Sequence, residues 1–527
     1  MIYGKLCIVL HAHLPWVRHP EHVEFLEEDW LFEAISETYV PLLAAFDRMR
    51  EDGVRFRITM TMTPPLVEML RDPMLIARYR ARLKKLRELA AREVERRTTD
   101  PRLERSAAMH LELYEQASRV LDERCHGDLI RGFRDHMEEG SLEIVTCPAT
   151  HGYLPLMSGD DVRRAQLRAA VKNYTKHFGR RPRGIWLSEC AYAPGIDALL
   201  EEQGLEFFFV DSHSVLLGDP RPCYGTYAPV RTPAGPAAFA RDIETGRQVW
   251  SADSGYPGDP DYREFYRDIG FDAPIEDLRG FLHADEARRS LGFKYHRVTG
   301  KVPLFQKELY DPEVAKGRAR QHAEHFVHNR HHQCKHLLGL LGRVPVVTSM
   351  YDAELFGHWW FEGPWFLEQV FRRAHEGLDG IVTRHAAEIL DEDRDLQTLH
   401  VNPSSWGAEG SSQVWLNGQN AWIYRHVHHA EREMVELAKA HPEARGILRR
   451  SLNQAARELL LAQSSDWAFI LTTGSVVPYA IRRIREHLHR FRNLRDQIRS
   501  GRFLEARLSD WEGRDNVFPE MDYRIYV

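Results

Sequence analysis

The strongest constraint on this chain is a repeated unit. Short β-rich runs at residues 6–13, 55–64, 142–152, 184–189, 205–214, 247–255 and 344–352 each end in polar or aromatic residues, and stretches of helical periodicity separate several of them. A succession of strand, loop, helix and strand predicts an α/β fold with parallel strands and right-handed crossovers. Functional groups then gather at the strands' C-terminal ends, as on the catalytic face of a β/α barrel. The runs number seven rather than eight.

Two regions depart from this rhythm. Residues 72–139 are charged, rich in Arg, Glu, Leu and Ala, and almost free of β-branched runs, which predicts a helical insertion between two strands. From residue 399 onward, amphipathic segments at 421–439, 443–463 and 479–499 predict a C-terminal helical domain, so the expected division is 1–398 and 399–527. The Gly- and Pro-rich stretch 215–239 reads as one long loop after the fifth strand, of the kind that is often functional.

Charge and cysteine usage exclude several classes of partner. The net charge of -6 arises from 71 basic and 77 acidic residues mixed along the chain, so no basic tract invites nucleic acid or an anionic membrane. Twelve Trp and 19 Tyr suit the faces of sugars, although most such rings serve packing. The six cysteines lack CxxC spacing, which argues against a disulfide framework or a thiolate zinc site. The apolar run 6–10 is too short for a secretory segment, and no 18-residue apolar stretch is present, so the expectation is a cytoplasmic protein, monomeric or a small homo-oligomer.

Two carboxylates set among aromatic residues are the candidate catalysts. Glu189, in WLSECAY, stands where a strand should end, beside Trp186 and Tyr192; its alternative is a salt-bridged or capping glutamate. Asp352, in SMYDAELFGHWW, repeats the arrangement, and Tyr351, Phe356, His358, Trp359 and Trp360 form a surround that should raise its pKa as a general acid requires. Such a pair cleaves a glycosidic bond, one member attacking the anomeric carbon and the other moving the leaving-group proton.

His11 and His13, in HAHLP, alternate along a strand and therefore point to opposite faces unless the strand has ended. A His-x-His pair can ligate zinc, but no nearby acidic residue completes a shell, so substrate hydrogen bonding is the preferred reading and no metal or cofactor is expected. His151 ends another strand and can join them. The histidines at 322, 325, 328, 331, 332 and 336 fall on a helical stripe and read as a solvated face; Cys147 and Cys190 read as buried small residues.

These segments resemble the family 57 glycoside hydrolases, and among them the α-1,4-glucan branching enzymes, over nearly the whole chain. HAHLP, ATHGY, WLSECAY and MYDAELFGHWW are similar to the family's four principal motifs, and SSWGAEG, VWLN, SSDWAF and RDNVFPE to features of its branching members. The resemblance implies an incomplete (β/α)7 barrel whose cleft is closed on one side by the C-terminal helices. It also implies retaining chemistry without a cofactor, with Glu189 as nucleophile and Asp352 as acid/base about 5–5.5 Å apart. The substrate would be an α-glucan polysaccharide, cut at α-1,4 links and rejoined at α-1,6 branches. Trp30, Trp406, Trp415 and Trp467 would be sugar platforms, with Trp250 and Trp359 beside them. Arg241, Asp466, His11, His13 and His151 would be polar partners, and Tyr224 the residue of a loop over the cleft. Tyr295 and His296 stand where some branching members carry Trp, implying an altered acceptor-side platform.

Overall fold

The computed structural model describes residues 1–251, 254–377 and 379–527. Nine strands occur among them: β1 (Gly4–Ala12), β2 (Ile58–Met62), β3 (Leu142–Val145), β4 (Gly184–Ile185), β5 (Phe207–Val210), β6 (Val230–Arg231), β7 (Ala237–Ala240), β8 (Val346–Asp352) and β9 (Ile381–Thr383). One sheet has the order β3-β2-β1-β8 with β9 beside the start of β1, and the other β4-β5-β7-β6. All pairings are parallel except that of β6 with β7. The sheets meet at both margins. Thr146 bridges Ile185 in parallel, and the Asp242 N–H donates to the Thr348 carbonyl at 2.8 Å.

Parity along the strands decides which side chains reach the space between the sheets. Cys7 and Val9 of β1, Val145 of β3, Phe207 and Phe209 of β5, Phe239 of β7 and Met350 of β8 form one buried cluster. Leu6, Ile8 and Leu10 pack instead with helix residues such as Leu43, Phe326 and Phe371. Each buried Phe stabilises the fold by roughly 1.5–3 kcal/mol, and Phe209→Ala would cost about 3–5 kcal/mol. Because successive side chains alternate faces, the next inward positions past this cluster are His11, Asp211, Arg241 and Asp352. His11 and Asp352 are register partners across β1 and β8.

One predicted strand is a helix. Residues 252 and 253 of the run 247–255 lie outside the described residues, and its first part belongs to the helix Ile243–Trp250, capped by Asp242, whose carboxylate accepts from the Thr245 N–H at 2.7 Å. The seventh strand joined in the parallel path is β7, at the end of the stretch read as a single loop, which also holds β6. Its sequence, AAFA, has weak strand preference of its own. Pairing with β5 over four registered residues supplies what local propensity lacks.

Between β2 and β3 lie the helices Pro73–Arg96, Pro101–Arg119 and Leu129–Glu138, capped by Asp72, Asp100 and Asp128. Beyond residue 399 come Trp422–Ala440, Gly446–Ala462, Ser465–Thr473, Val477–Ser500 and Glu505–Arg514. No helix among the described residues is long and apolar enough to cross a membrane.

Candidate active site

Glu189 follows β4 in a short turn where its φ is 61°, a left-handed conformation that a residue with a side chain adopts at a cost of order 1 kcal/mol or more. Trp406 holds it there twice. The Trp406 backbone N–H donates to the Glu189 carbonyl at 3.0 Å, and its indole N–H donates to Glu189 Oε2 at 2.8 Å. The Ser465 hydroxyl lies 3.5 Å from Oε1. Burial pushes the carboxyl up to about 7, the Trp406 bond works against that rise, and the nearby charges of Asp352 and Asp466 add to it.

Asp352 ends β8, and no hydrogen bond to its carboxylate is found among the described residues. It too is pushed up to about 7, first by burial and then by the charge of Glu354, against the opposing influence of His13 and Arg241. The indole donor favours the charged form of Glu189, and no comparable donor serves Asp352 among the described residues.

Glu354 is a third partly buried carboxyl that sequence reasoning passed over although it lies in the quoted motif. It accepts from the Tyr39 hydroxyl at 2.5 Å and from the His13 backbone N–H at 3.1 Å. Tyr39 belongs to a π-helical turn, Ile35–Tyr39, that grips the Asp352 motif at several points. In the same turn Glu37 accepts from His358 Nδ1 at 2.8 Å. Gly357 lies so close to the Glu37 carbonyl that an added Cβ would stand 1.8 Å from it.

The histidines converge because β1 ends at Ala12. His13 turns back to the face of His11, and both rings stack near His151, with centroids 3.9 Å apart for His13 and 5.0 Å for His11. His11 and His151 share a 3.0 Å contact between Nε2 atoms. Burial drives both well below the usual histidine range, so they are neutral. The expectation that no acidic residue stands near this group is overturned. Asp466, on the first turn of Ser465–Thr473, lies 3.0 Å from His13 Nε2. His13, His151 and Asp466 thus bring three metal-capable groups together. They fit a closed metal shell poorly, because His151 uses both nitrogens, one toward His11 and the other toward Ser465 Oγ at 2.7 Å.

The model of glycosyl hydrolase family 57 matches residues 7–392, and that of the 1,4-alpha-glucan branching enzyme C-terminal domain matches residues 426–526. The chain belongs to glycoside hydrolase family 57. It is 36% identical to a 1,4-alpha-glucan branching enzyme of Thermococcus kodakarensis over 99% of its own length and 78% of that protein's. Among solved structures it is similar to an α-amylase from Thermotoga maritima (46% identity, TM-score 0.94, 100% of this chain and 99% of that one). It is also similar to a branching enzyme from Pyrococcus horikoshii (35% identity, TM-score 0.89, 100% and 97%).

In this family 57 chain the predicted aromatic set divides by exposure. Trp406 is half-buried, Trp250 meets it edge-on at 6.4 Å, and the Arg241 guanidinium lies 5.8 Å from its ring centroid. Arg241 also contacts Asp211 at 3.4 Å. Trp30 packs edge-on to Tyr479 with part of its surface free. Trp359 is 54% exposed and stacks on Phe265 at 4.5 Å.

Three expectations fail. Trp415 and Trp467 are each only 1% exposed, the former stacked on Tyr153 at 4.8 Å and the latter donating to the Leu461 carbonyl at 2.8 Å, so neither offers a face to a sugar. At the altered acceptor-side position, Tyr295 is buried and donates to Glu93 at 3.1 Å. Tyr224 does not overhang the cleft. Its ring lies 4.9 Å from the Arg343 guanidinium, and the Tyr227 carbonyl accepts from the Val346 N–H. The loop therefore sits at the start of β8, the opposite end from Asp352. Short turn bonds and the bridge of Asp219 with His400 hold it there. Of the other residues, Cys147 and Cys190 are buried. His322 and His325 on the helix Pro312–Leu341 meet the hydroxyls of Tyr262 and Tyr256 at 2.8 Å each, so that stripe is only partly solvated.

Proposed function

We propose that this chain is a 1,4-α-glucan branching enzyme working by retaining double displacement in an incomplete (β/α)7 barrel, with the helices after residue 399 lining one side of the cleft. The pairing path β8-β1-β2-β3, continued through Thr146 to β4, β5 and β7 and back to Thr348, supports the barrel reading. Ser465 and Asp466 of the C-terminal helices support the shared cleft by contacting His151 and His13. The expected setting is the cytoplasm, with an α-glucan polysaccharide as substrate and the protein a monomer or small homo-oligomer.

Glu189 attacks the anomeric carbon while Asp352 protonates the departing glycosidic oxygen, leaving a covalent glucosyl enzyme. Asp352, now ionised, takes the proton from the 6-hydroxyl of an acceptor glucan, which displaces Glu189 and creates the α-1,6 link. His11, His13, His151, Arg241 and Asp466 orient hydroxyls of the bound sugar. Trp30, Trp250, Trp359 and Trp406 present ring surface to donor and acceptor chains.

The observation that carries this reading is the pair itself: two partly buried carboxyls of raised pKa past the ends of β4 and β8, one supplied with donors and the other, among the described residues, with none. Incubation with amylose followed by isoamylase digestion tests it. New short chains must appear with the wild type and vanish with Glu189→Gln or Asp352→Asn. Near-wild-type turnover by either variant defeats the assignment.

A second reading, mainly hydrolysis as in an α-amylase, draws support from Tyr224 lying away from the cleft and from the likeness to the Thermotoga maritima protein. Water competes with the acceptor unless the site excludes it. The ratio of new reducing ends to new branch points separates the two. A metal-dependent deacetylase would lose activity on prolonged EDTA treatment, whereas the proposed enzyme keeps it.

A further inference from the structure

A cavity of about 640 Å³ lies outside the cleft, walled by the helices Val40–Glu51, Pro101–Arg119, Pro312–Leu341 and Gly363–Glu376. Its size falls within the range that accepts a small ligand, about 300–1,000 Å³. Met109, Leu113, Phe361 and the half-buried Trp365 make its apolar wall. The Lys316 ammonium lies 5.4 Å from the Trp365 ring centroid.

The polar groups around this wall define the ligand. Four basic side chains are matched by four acidic ones. Arg48 pairs with Glu368 at 2.6 Å and Lys316 with Glu313 at 2.9 Å. A balanced wall selects neither an anion nor a cation. Gln116, Arg320 and Gln369 also line the cavity, and among the described residues their side chains have no partner. An indole beside unengaged amide and guanidinium groups suits a neutral ligand with an apolar face and a hydroxyl-bearing edge, which is the chemistry of a glucose unit.

We propose that this cavity is a second, non-catalytic α-glucan-binding site that tethers the polymer while another part of it is processed. The proposal rests on the α-glucan reading of the cleft. A polymer presents many identical units, so engagement of one segment here raises the effective concentration of the others at the cleft. A short maltooligosaccharide gains nothing from such a site.

The test uses the whole enzyme in three forms: wild type, Trp365→Ala, and the double variant Gln116→Ala/Arg320→Ala, which removes no buried ring. Affinity electrophoresis through amylopectin gels measures binding, and initial rates on amylose and on maltoheptaose measure turnover. The expected result is retardation weakened by about fivefold or more. KM for amylose should rise by a similar factor while kcat, and all turnover of maltoheptaose, stay unchanged. Retardation and KM equal to wild type in the folded double variant overturn the site, and do so whether or not Trp365→Ala folds. If wild type shows no amylose turnover while retardation still depends on these residues, the binding site stands and the catalytic reading falls.

Discussion

Two clusters of carboxylates in this molecule have different surroundings. In the cleft, Glu189 and Glu354 meet neutral donors, the indole of Trp406, the hydroxyls of Ser465 and Tyr39 and the backbone of His13, and the Asp352 carboxylate has no hydrogen-bond donor among the described residues. In the C-terminal helices, Asp515 accepts from Arg490 and, at 3.4 Å, from Arg483, while Glu458 accepts from His487 Nδ1 at 2.7 Å and Gln454 Nε2 at 2.9 Å. The cleft carboxyls are partly buried, whereas Asp515 and Glu458 are 1% and 0% exposed, and the two clusters differ in counter-charge as well. The guanidinium groups on Asp515 join helices through a counter-charge that the cleft carboxyls lack, while Glu458 beside it is itself held well above the usual carboxylate range by burial and the Asp515 charge.

The contrast is broken most severely by substitution at the cleft. Glu189→Gln and Asp352→Asn should each lower kcat on amylose by at least about 10²–10⁴-fold. Thermal unfolding should stay the same or rise, since each substitution replaces a carboxyl whose charged form burial disfavours with a neutral amide. The opposite pattern belongs to Asp515→Ala. Chemical denaturation should reveal a loss of about 3–5 kcal/mol through the stranded arginines, with kcat/KM within about twofold of wild type, as for a site outside the cleft.

Smaller changes sharpen the comparison. Trp406→Phe keeps the ring but removes the donor to Glu189, and kcat/KM should fall roughly 10–100-fold, the value of a hydrogen bond to a charged group. The wild-type pH profile should be bell-shaped around neutrality, because Glu189 must lose its proton and Asp352 must keep its own, and both stand at about 7. Glu354 raises Asp352, so Glu354→Gln should move the alkaline limb toward lower pH and leave the acid limb nearly in place. Rates measured from pH 5 to 9 decide it, and an unmoved alkaline limb refutes the coupling. The smallest effect is expected from Tyr224→Ala. With Tyr224 beside Arg343 at the start of β8, the ratio of branching to hydrolysis should not change.

The α/β class, six of the seven strands along the path from β8 to β7 and the strand-end positions of Glu189 and Asp352 were legible because each depends on local pattern, while β9 beside β1 was not read. Alternation carries an inward residue such as Val9 or Met350 to His11 or Asp352 one step beyond the core. The seventh strand was illegible for the same reason, since AAFA has no preference that its own residues declare. The helix Ile243–Trp250 did carry a signal: Asp242 three residues ahead of Thr245 is a cap that could have been read. Glu354 also stood in plain view two positions past Asp352, but only its contact with Tyr39 distinguishes it from a surface glutamate.

By itself the sequence determined where charge and aromatic surface stand along each strand, and hence the class of fold and the bond this chain would cut. Packing decided the rest: that Asp466 reaches His13 across 453 positions, that Trp406 presents its edge to Glu189 while Trp415 and Trp467 vanish into the core, and that the Tyr224 loop lies at the far end of β8. Side-chain parity is written within a few residues, whereas exposure and counter-charge are set by whichever distant element comes to rest against them.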